Sequence, residues 1–362
     1  MIVANLLMRP VRTALSVTAV AVEVVLIILV VGLTHGMVQD TALRTQGVGA
    51  DIMVQPQTTS ILLGLSGSPM PIQIADRLRE LSQVKAVAPV MVQASSSGGV
   101  TLIYGIEKKS FDAVGGGFRF LEGHDLGASE EVLVDDIYAR ANHIRAGQTI
   151  QLLNQSLRVA GVVEHGKGAR IFMQLDALQD LMGSIGKVSV FFVKGANPGQ
   201  TAPALEQIRQ VLPNYQVRDM QEFMSLMTAS NLPGLNNFIT VMIGLAVAIG
   251  LLVIFVTMYS AIAERTREIG ILKSMGASKK CVINIVLRET TILTLLGIGM
   301  GIGLSYLIRI LIGVIFPTLP ILITGDWLLR ACLIALAASL VGASYPAFRA
   351  SRQDPIQALA YE

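Results

Sequence analysis

Charge is scarce in this 362-residue chain, where Asp, Glu, Lys and Arg together make up only 15%. An ordinary soluble domain carries roughly 25%. The shortage excludes a disordered chain and argues against a wholly soluble enzyme. The charge that is present nearly cancels, 28 Lys and Arg against 25 Asp and Glu, which is too balanced for a nucleic-acid binder. Cysteine is almost missing. Cys281 and Cys332 lie in or beside apolar runs without C-x-x-C or zinc spacing, which excludes a disulfide framework and a cysteine-built metal centre. His35, His124, His143 and His165 are scattered and show no H-E-x-x-H spacing. No metal or other cofactor is expected in the chain itself.

Apolar residues are abundant, at 52%, and the mean hydropathy is +0.60. They concentrate towards the two ends. Ala14–Thr34 is interrupted by one charge, Glu23, and is long enough at about 1.5 Å per residue to cross a hydrocarbon core of about 30 Å. Further runs cover about Phe238–Ala263, Thr290–Phe316 and Trp327–Ala347. Four transmembrane helices are predicted. The first run is too long for a signal h-region and has no A-x-A site, so it reads as an uncleaved anchor. Arg9 and Arg12 precede helix one. Arg265, Arg267, Lys273, Lys279, Lys280 and Arg288 fill the loop between helices two and three, and Arg349 and Arg352 follow helix four. Residues 317–326 contain neither Lys nor Arg. The positive-inside rule then makes both termini and the 264–289 loop cytoplasmic, and puts residues 38–236 outside.

That middle segment reads as an α+β domain. Strands are predicted at Asp51–Gln55, Val84–Val92, Val100–Ile106, Glu131–Asp135, Leu157–Val163, Arg170–Gln174 and Val188–Val193. Helices are predicted at Ile72–Ser82, Asp176–Met182 and Pro203–Val211, with loops at Leu63–Pro71 and Ser95–Gly99. The fold class is therefore a multi-pass α-helical membrane protein with an α+β extracytoplasmic domain between its first two spans. The expected divisions are 1–37 (N-terminus and first span), 38–236 (external domain), 237–263 (second span), 264–289 (cytoplasmic loop), 290–348 (last two spans) and 349–362 (tail).

Several motifs suggest chemistry. Gly161-Val-Val-Glu-His-Gly-Lys-Gly168 approaches a phosphate-binding loop, but it lacks the Ser or Thr hydroxyl and reads into a strand, so a β-turn is expected. The acidic pairs Glu130-Glu131 and Asp135-Asp136 read as solvated surface. Gly297, Gly299, Gly301 and Gly303 form overlapping G-x-x-x-G patterns suited to close helix packing, within the chain or between two copies. Glu23 falls about 16 Å from Arg12, near the bilayer middle, where a carboxyl is costly. Structural hydrogen bonding, with Thr257 and Ser339 level with it, and a transport role are both open readings. Nothing else resembles catalytic machinery.

The loop sequence Glu264-Arg-Thr-Arg-Glu-Ile-Gly-Ile-Leu-Lys-Ser-Met-Gly-Ala-Ser278 reads as a charged amphipathic helix leaving the second span. Ile269, Leu272 and Met275 share a face, and Gly276 permits a sharp turn. This segment closely resembles the loop after the second span in MacB/FtsX-type ABC transporter permeases. The opening Asn5–Ser16 resembles their N-R-x-R-T-x-L-T start, and Tyr345–Leu359 resembles their Y-P-A-x-x-A-x-x-x-P-x-x-A-L tail. Glu131–Asp135, Gly147–Ile150 and Leu157–Glu164 resemble parts of their extracytoplasmic domain. The resemblance implies a non-catalytic permease in the inner (cytoplasmic) membrane, working by mechanotransmission. Two permease copies, identical or not, would pair with two ATPase subunits that bind ATP and Mg. No Walker motif is found, so the ATPase is expected on a separate chain. By the same resemblance Glu264, Arg265, Arg267, Glu268, Ile269, Gly270, Leu272, Lys273, Met275 and Gly276 contact the ATPase. The helix faces suggest Ile269, Leu272 and Met275 as the groove-filling anchors. Membrane lipids and a periplasmic adaptor are further partners to consider. Export or extraction of a lipid, lipoprotein, peptide or drug-like molecule is one expected outcome, FtsX-like control of cell-wall hydrolases a second, and an ATPase-free membrane sensor a third. Glu23 belongs to no quoted family pattern.

Overall fold

The computed structural model describes residues 10–57, 69–95, 101–197, 199–227 and 234–353. The expected loop residues 63–68 and 96–99, the start of the opening motif before Pro10 and the end of the tail motif after 353 lie outside the described residues. The chain opens with α1 (Pro10–Gln46), β1 (Ile52–Pro56), β2 (Met70–Pro71), α2 (Ile74–Arg79), β3 (Val84–Ser95), β4 (Thr101–Ile106), α3 (Lys108–Gly115) and β5 (Phe120–Gly123). It continues with β6 (Glu131–Asp135), α4 (Asp136–Asn142), β7 (Thr149–Leu152), β8 (Gln155–Val163), β9 (Ile171–Gln174), α5 (Leu175–Leu181), β10 (Lys187–Val188) and β11 (Val190–Gly195). Last come α6 (Ala202–Val211), β12 (Tyr215–Asp219), α7 (Met220–Leu226), α8 (Leu235–Glu264), α9 (Thr266–Ser274), α10 (Lys279–Ile315) and α11 (Gly325–Ser351).

Two compact units result. The first comprises Met1–His35, Gly234–Val314 and Ile321–Glu362, and the second comprises Gly36–Pro233 and Ile315–Pro320. In the first unit α1, α8, α10 and α11 are each long and apolar enough to cross a membrane. With no hydrophobic drive between helices in lipid, their packing relies on small residues that let backbones approach. On α11 the buried face is Ala331, Ala335, Ala338, Ser339, Gly342, Ala343, Pro346 and Ala347, and it packs on α8. A Cβ at Gly342 would stand 2.9 Å from the Leu251 carbonyl oxygen. A Cβ at Gly297 would stand 2.6 Å from Val20 Cβ, and one at Gly301 would stand 2.9 Å from the Ala21 carbonyl oxygen. Those two glycines therefore seat α10 on α1. Gly299 and Gly303 meet nothing within 4 Å and face away.

The second unit is built on a ten-stranded sheet of order β12-β1-β11-β3-β4-β9-β6-β8-β5, with β7 on β8. Pairing is antiparallel except β4–β9 and β6–β8. The inner strands β1, β4, β6, β9 and β11 are buried along nearly their whole length, which is why they read as continuous apolar runs. Leu78 of α2, Phe111 of α3, Leu178 of α5 and Ile208 of α6 are all fully buried (0–1% exposed) in the core. The run expected as one strand over 188–193 divides at Ser189 into β10 and β11, and the Ser189 hydroxyl accepts the Val92 amide at 3.0 Å. β5, β7, β12, α3, α4 and α7 lie outside the expected strands and helices, and β2 falls at the end of the loop expected over Leu63–Pro71.

α1 also outruns the expectation, continuing past Thr34 to Gln46. Its last turns belong to the second unit. Val38 and Ala42 are buried there, and Arg44 pairs with Asp40 one turn back at 2.9 Å.

Candidate functional site

Among the described residues of the first unit, only α9 is both strongly charged and outside the four long helices. α8 stops at Arg265, whose backbone (φ −109°, ψ 16°) leaves the helical region before α9 begins. The Thr266 hydroxyl donates to the Ile262 and Ala263 carbonyls at 3.2 and 2.8 Å, satisfying acceptors freed by the break. α9 ends where Gly276 adopts φ +93°, with the Gly276 and Ala277 amides donating back to the Lys273 and Leu272 carbonyls. Gly276 thus makes the sharp turn its position suggests. Ser278 caps α10 by accepting the Cys281 amide.

The faces of α9 differ from the expectation in part. Ile269 and Gly270 are buried, and Leu272 is half-buried. Ile269 and Leu272 turn inward onto Met258, Ala261, Val282 and Val286 of α8 and α10 and line a groove with them. Arg265 is not a rim charge. Its guanidinium donates to both Glu289 carboxylate oxygens at 3.0 and 3.3 Å, and the two side chains are 12% and 7% exposed. Removing one partner of such a buried pair costs about 3–5 kcal/mol. Lys273 also points inward along the chain, donating to the Ser351 carbonyl at 3.0 Å and to the Gln353 carbonyl at the end of α11. The outward face consists of Arg267, Ile271, Ser274 and Met275, Glu268 is exposed at the edge of the groove, and Glu264 and Gly276 are exposed at the ends. Met275 is 72% exposed and Ile271 44%. Helical spacing alone could not tell the two faces apart, because both carry apolar residues.

Glu23 is 2% exposed on α1. Both its carboxyl oxygens lack a hydrogen-bond partner among the described residues. Thr257, one partner expected from depth, donates instead to the Val253 and Ile254 carbonyls of its own helix. The carboxyl lies against Gly250 of α8, where an added Cβ would stand 2.0 Å from Glu23 Oε2. A glycine on α8 makes the space this carboxyl occupies.

In the second unit the acidic pairs divide. Glu131 is exposed enough to fit the solvated reading, and the Gly127 and Ala128 amides that donate to it hold its pKa below the usual range. Asp135 overturns it, being fully buried. It accepts the Arg170 guanidinium at 3.0 Å and caps α4 by accepting the Tyr138 amide at 2.6 Å. The strand-to-helix change after Glu131–Asp135 is an N-cap signal that could have revealed this. Arg170 continues to Asp40 at 3.3 Å, and Arg44 donates to the Gly168 carbonyl at 3.1 Å. The near phosphate-loop is absorbed here as well. A Cβ at Gly47 would stand 1.9 Å from the Gly166 carbonyl, and one at Gly168 2.5 Å from the Tyr104 ring. Lys167 donates to the Gly115 carbonyl at 2.5 Å, and burial lowers its pKa against the pull of Asp112. No helix follows this loop; β9 does. It is a seat for the end of α1 and not a nucleotide cradle. Among the described residues no group of three or more His, Cys, Asp or Glu could hold a metal ion.

Four apolar spans, an α/β domain inserted after the first of them and a charged helix between the second and third define a polytopic membrane protein of the permease type. Residues 13–211 match the MacB-like periplasmic core domain, and residues 240–355 match the FtsX-like permease C-terminal domain. The chain belongs to the MacB/FtsX-type ABC transporter permeases. It is 26% identical over 260 residues to the uncharacterized ABC transporter permease YknZ of Bacillus subtilis, covering 67% of this chain and 63% of that protein. It is 32% identical over 177 residues to the macrolide export ATP-binding/permease protein MacB of Syntrophobacter fumaroxidans, covering 45% of this chain and 24% of that one. The chain thus spans less than two thirds of the length of these relatives. A crystal structure of the periplasmic region of MacB from Actinobacillus actinomycetemcomitans is similar at 16% identity and a TM-score of 0.39, covering 50% of this chain and 94% of that one. A likeness at that score adds nothing to the fold already described.

Proposed function

We propose that this chain is the membrane subunit of an ATP-driven complex in a bacterial cytoplasmic membrane, paired with a second permease copy and two ATPase subunits on separate chains. ATP and Mg are bound by the ATPase. The observation that carries this reading is α9, whose inner face is fastened to α8, α10 and α11 while its outer face offers Arg267, Ile271, Ser274 and Met275, with Glu268 exposed at the edge. An exposed apolar pair flanked by charges suits the groove of a protein partner. Both termini and α9 face the cytoplasm, and residues 38–236 lie outside, by the distribution of Lys and Arg. ATP-driven closure of the paired ATPases presses on α9, and the movement reaches the external domain through the spans.

The work done is export or extraction of a cargo, with a periplasmic adaptor as a further partner. The named activity of the MacB relatives, macrolide export, makes a drug-like molecule one candidate beside lipid, lipoprotein and peptide. FtsX-like signalling to cell-wall hydrolases uses the same lever. An ATPase-free sensor would have no use for a helix of this composition between its second and third spans. The test is co-purification of the ATPase with tagged permease. Ile271→Glu and Met275→Glu together should reduce ATPase recovery at least tenfold while membrane insertion is unchanged. Full recovery with the double variant, or no ATPase with the parent, would refute the assignment.

A further inference from the structure

The basic residues where α8 and α11 end are of two kinds. Arg265 and Lys273 are spent inside the chain, on Glu289 and on the last carbonyls of α11. Arg349 and Arg352 are exposed, and among the described residues neither has a carboxylate partner. Both lie over aromatic rings instead. The Arg349 guanidinium carbon is 5.2 Å from the centre of the Tyr259 ring of α8, and that of Arg352 is 4.2 Å from the centre of the Phe348 ring. A ring face orients a guanidinium without neutralising it. Arg349 is also one corner of an aromatic frame. Phe255 and Tyr259 are one turn apart on α8, and Tyr345 and Arg349 are one turn apart on α11. The Phe255 ring stacks on Tyr259 at 6.2 Å between centres and meets Tyr345 at 5.8 Å. Close approach of the two backbones at Gly342 and Leu251 holds the frame together. Tyr259 is 38% exposed and Tyr345 55%, and among the described residues neither hydroxyl has a hydrogen-bond partner. The frame therefore offers two phenolic hydroxyls and a guanidinium to the outside of the bundle, and it contains no carboxylate. Its depth is fixed as well. A 30-residue helix such as α8 is about 45 Å long and overshoots a hydrocarbon core of about 30 Å at both ends. Tyr259, five residues from the end of α8, and Arg349, two from the end of α11, thus stand at headgroup level. Phe255 and Tyr345 lie about 6 Å deeper, among acyl carbons.

We propose that this frame is a binding site for the headgroup of an anionic phospholipid. Arg349 takes the phosphodiester, the Tyr259 and Tyr345 hydroxyls donate to phosphate or ester oxygens, and the rings of Phe255 and Tyr345 line the start of an acyl chain. The planar guanidinium matches two phosphate oxygens with paired N–H groups, which a lysine ammonium does not reproduce. A zwitterionic lipid would bring its own cation towards Arg349 and Arg352, so the site selects lipids of net negative charge. Basic pockets between membrane helices hold such headgroups. The inference goes beyond the reading of α9 and stands without it, since it requires only that α8 and α11 cross a membrane.

With Trp327, the only tryptophan, replaced by Phe, Phe255→Trp puts a fluorescent reporter in the frame. Phe348→Trp is built in parallel, so that misfolding of one reporter leaves the other decisive. The full chain is reconstituted in mixed vesicles of phosphatidylcholine and phosphatidylglycerol, with one or the other lipid brominated on its acyl chains, and quenching measures the local enrichment of each. Both reporters should favour phosphatidylglycerol by about fivefold, the factor that one basic side chain contributes near an anionic surface. Arg349→Gln should remove most of this preference, and Arg349→Lys should keep about half of it. Tyr259→Phe and Tyr345→Phe together should lower it with the thermal midpoint unchanged. A control reporter, Leu333→Trp, exposed on α11 far from this end, should show no preference. Inorganic phosphate added at constant ionic strength should change nothing. Equal quenching by the two lipids, or a preference that survives Arg349→Gln, overturns the proposal. Displacement by inorganic phosphate also overturns it, in favour of a soluble anion. Protection of both frame reporters from either lipid, with Leu333→Trp quenched, overturns it in favour of a second copy of the chain covering this face.

Discussion

Four glycines at alternate positions of α10 offer a test with its own controls. Replacing Gly297 by Ala would put a Cβ 2.6 Å from Val20 Cβ and 2.9 Å from the Val17 carbonyl oxygen. Replacing Gly301 would put one 2.9 Å from both the Ala21 carbonyl oxygen and Val24 Cβ. Ordinary van der Waals contact between carbon atoms needs about 3.5–4.0 Å, so α10 must move off α1 by roughly an ångström. Backbone oxygens cannot swing aside as a side-chain end can. Overpacking of this kind costs about 1–3 kcal/mol, and Ala recovers about 0.5–1 kcal/mol of it by its greater helix propensity. Gly299→Ala and Gly303→Ala meet nothing within 4 Å and should show the propensity gain alone. The two pairs should differ by about 2 kcal/mol. Trp327, the only tryptophan, sits in the same unit and reports unfolding in mild detergent by its fluorescence. Gly297→Ala and Gly301→Ala should melt several degrees below the parent, with the other two at or above it. Equal melting of all four variants would refute the assignment of the α1 contact to one face.

Gly250→Ala should destabilise the parent by about 1–3 kcal/mol but cost little in a Glu23→Ala background, because the clash is with that carboxyl; additive effects in the same melting assay would sink the pairing. Glu23→Gln should assemble normally, and loss of ATP-driven activity in an intact Glu23→Gln complex would favour a transport role over packing. Asp136 is raised by burial but more than compensated by its hydrogen bonds from His165 and by Arg140, so its pKa lies below the usual range. Its contribution to stability is therefore present above an ordinary aspartate pKa of about 3.9 and is lost as the pH falls below that value. Asp136→Asn should flatten the acid limb of the melting profile, and an unchanged limb would refute the linkage. In a background with Cys281 and Cys332 replaced, a cysteine at exposed Ser156 should react with an impermeant thiol reagent in spheroplasts and one at Ser278 should not. Equal labelling would overturn the orientation.

Hydropathy alone located the four spans, since a run of apolar residues as long as Ala14–Thr34 has no comfortable solution but lipid. The inner strands of the sheet were equally plain, because strands covered on both faces are continuously apolar. The G-x-x-x-G pattern announced close helix packing, and the charged loop after the second span announced itself by its departure from everything around it. What the linear order could not convey is which side of a two-faced element finds a partner. α9 carries apolar residues on both faces, and only the folded α8 and α10 decide that Ile269 and Leu272 are covered while Ile271 and Met275 are left outside. Asp135 reads as one of many surface acids until Arg170, far along the chain, is brought within 3.0 Å. Gly166-Lys167-Gly168 reads as a half-formed phosphate loop until the end of α1 arrives to occupy it. Glu23 has no sequence neighbour to explain it, and its place is set by the missing side chain of Gly250. Local pattern reports the periodicity and the solvent that a segment prefers. Pairing of charges and of glycines with their occupants is a property of approach distances between distant segments, and those exist only once the chain has folded.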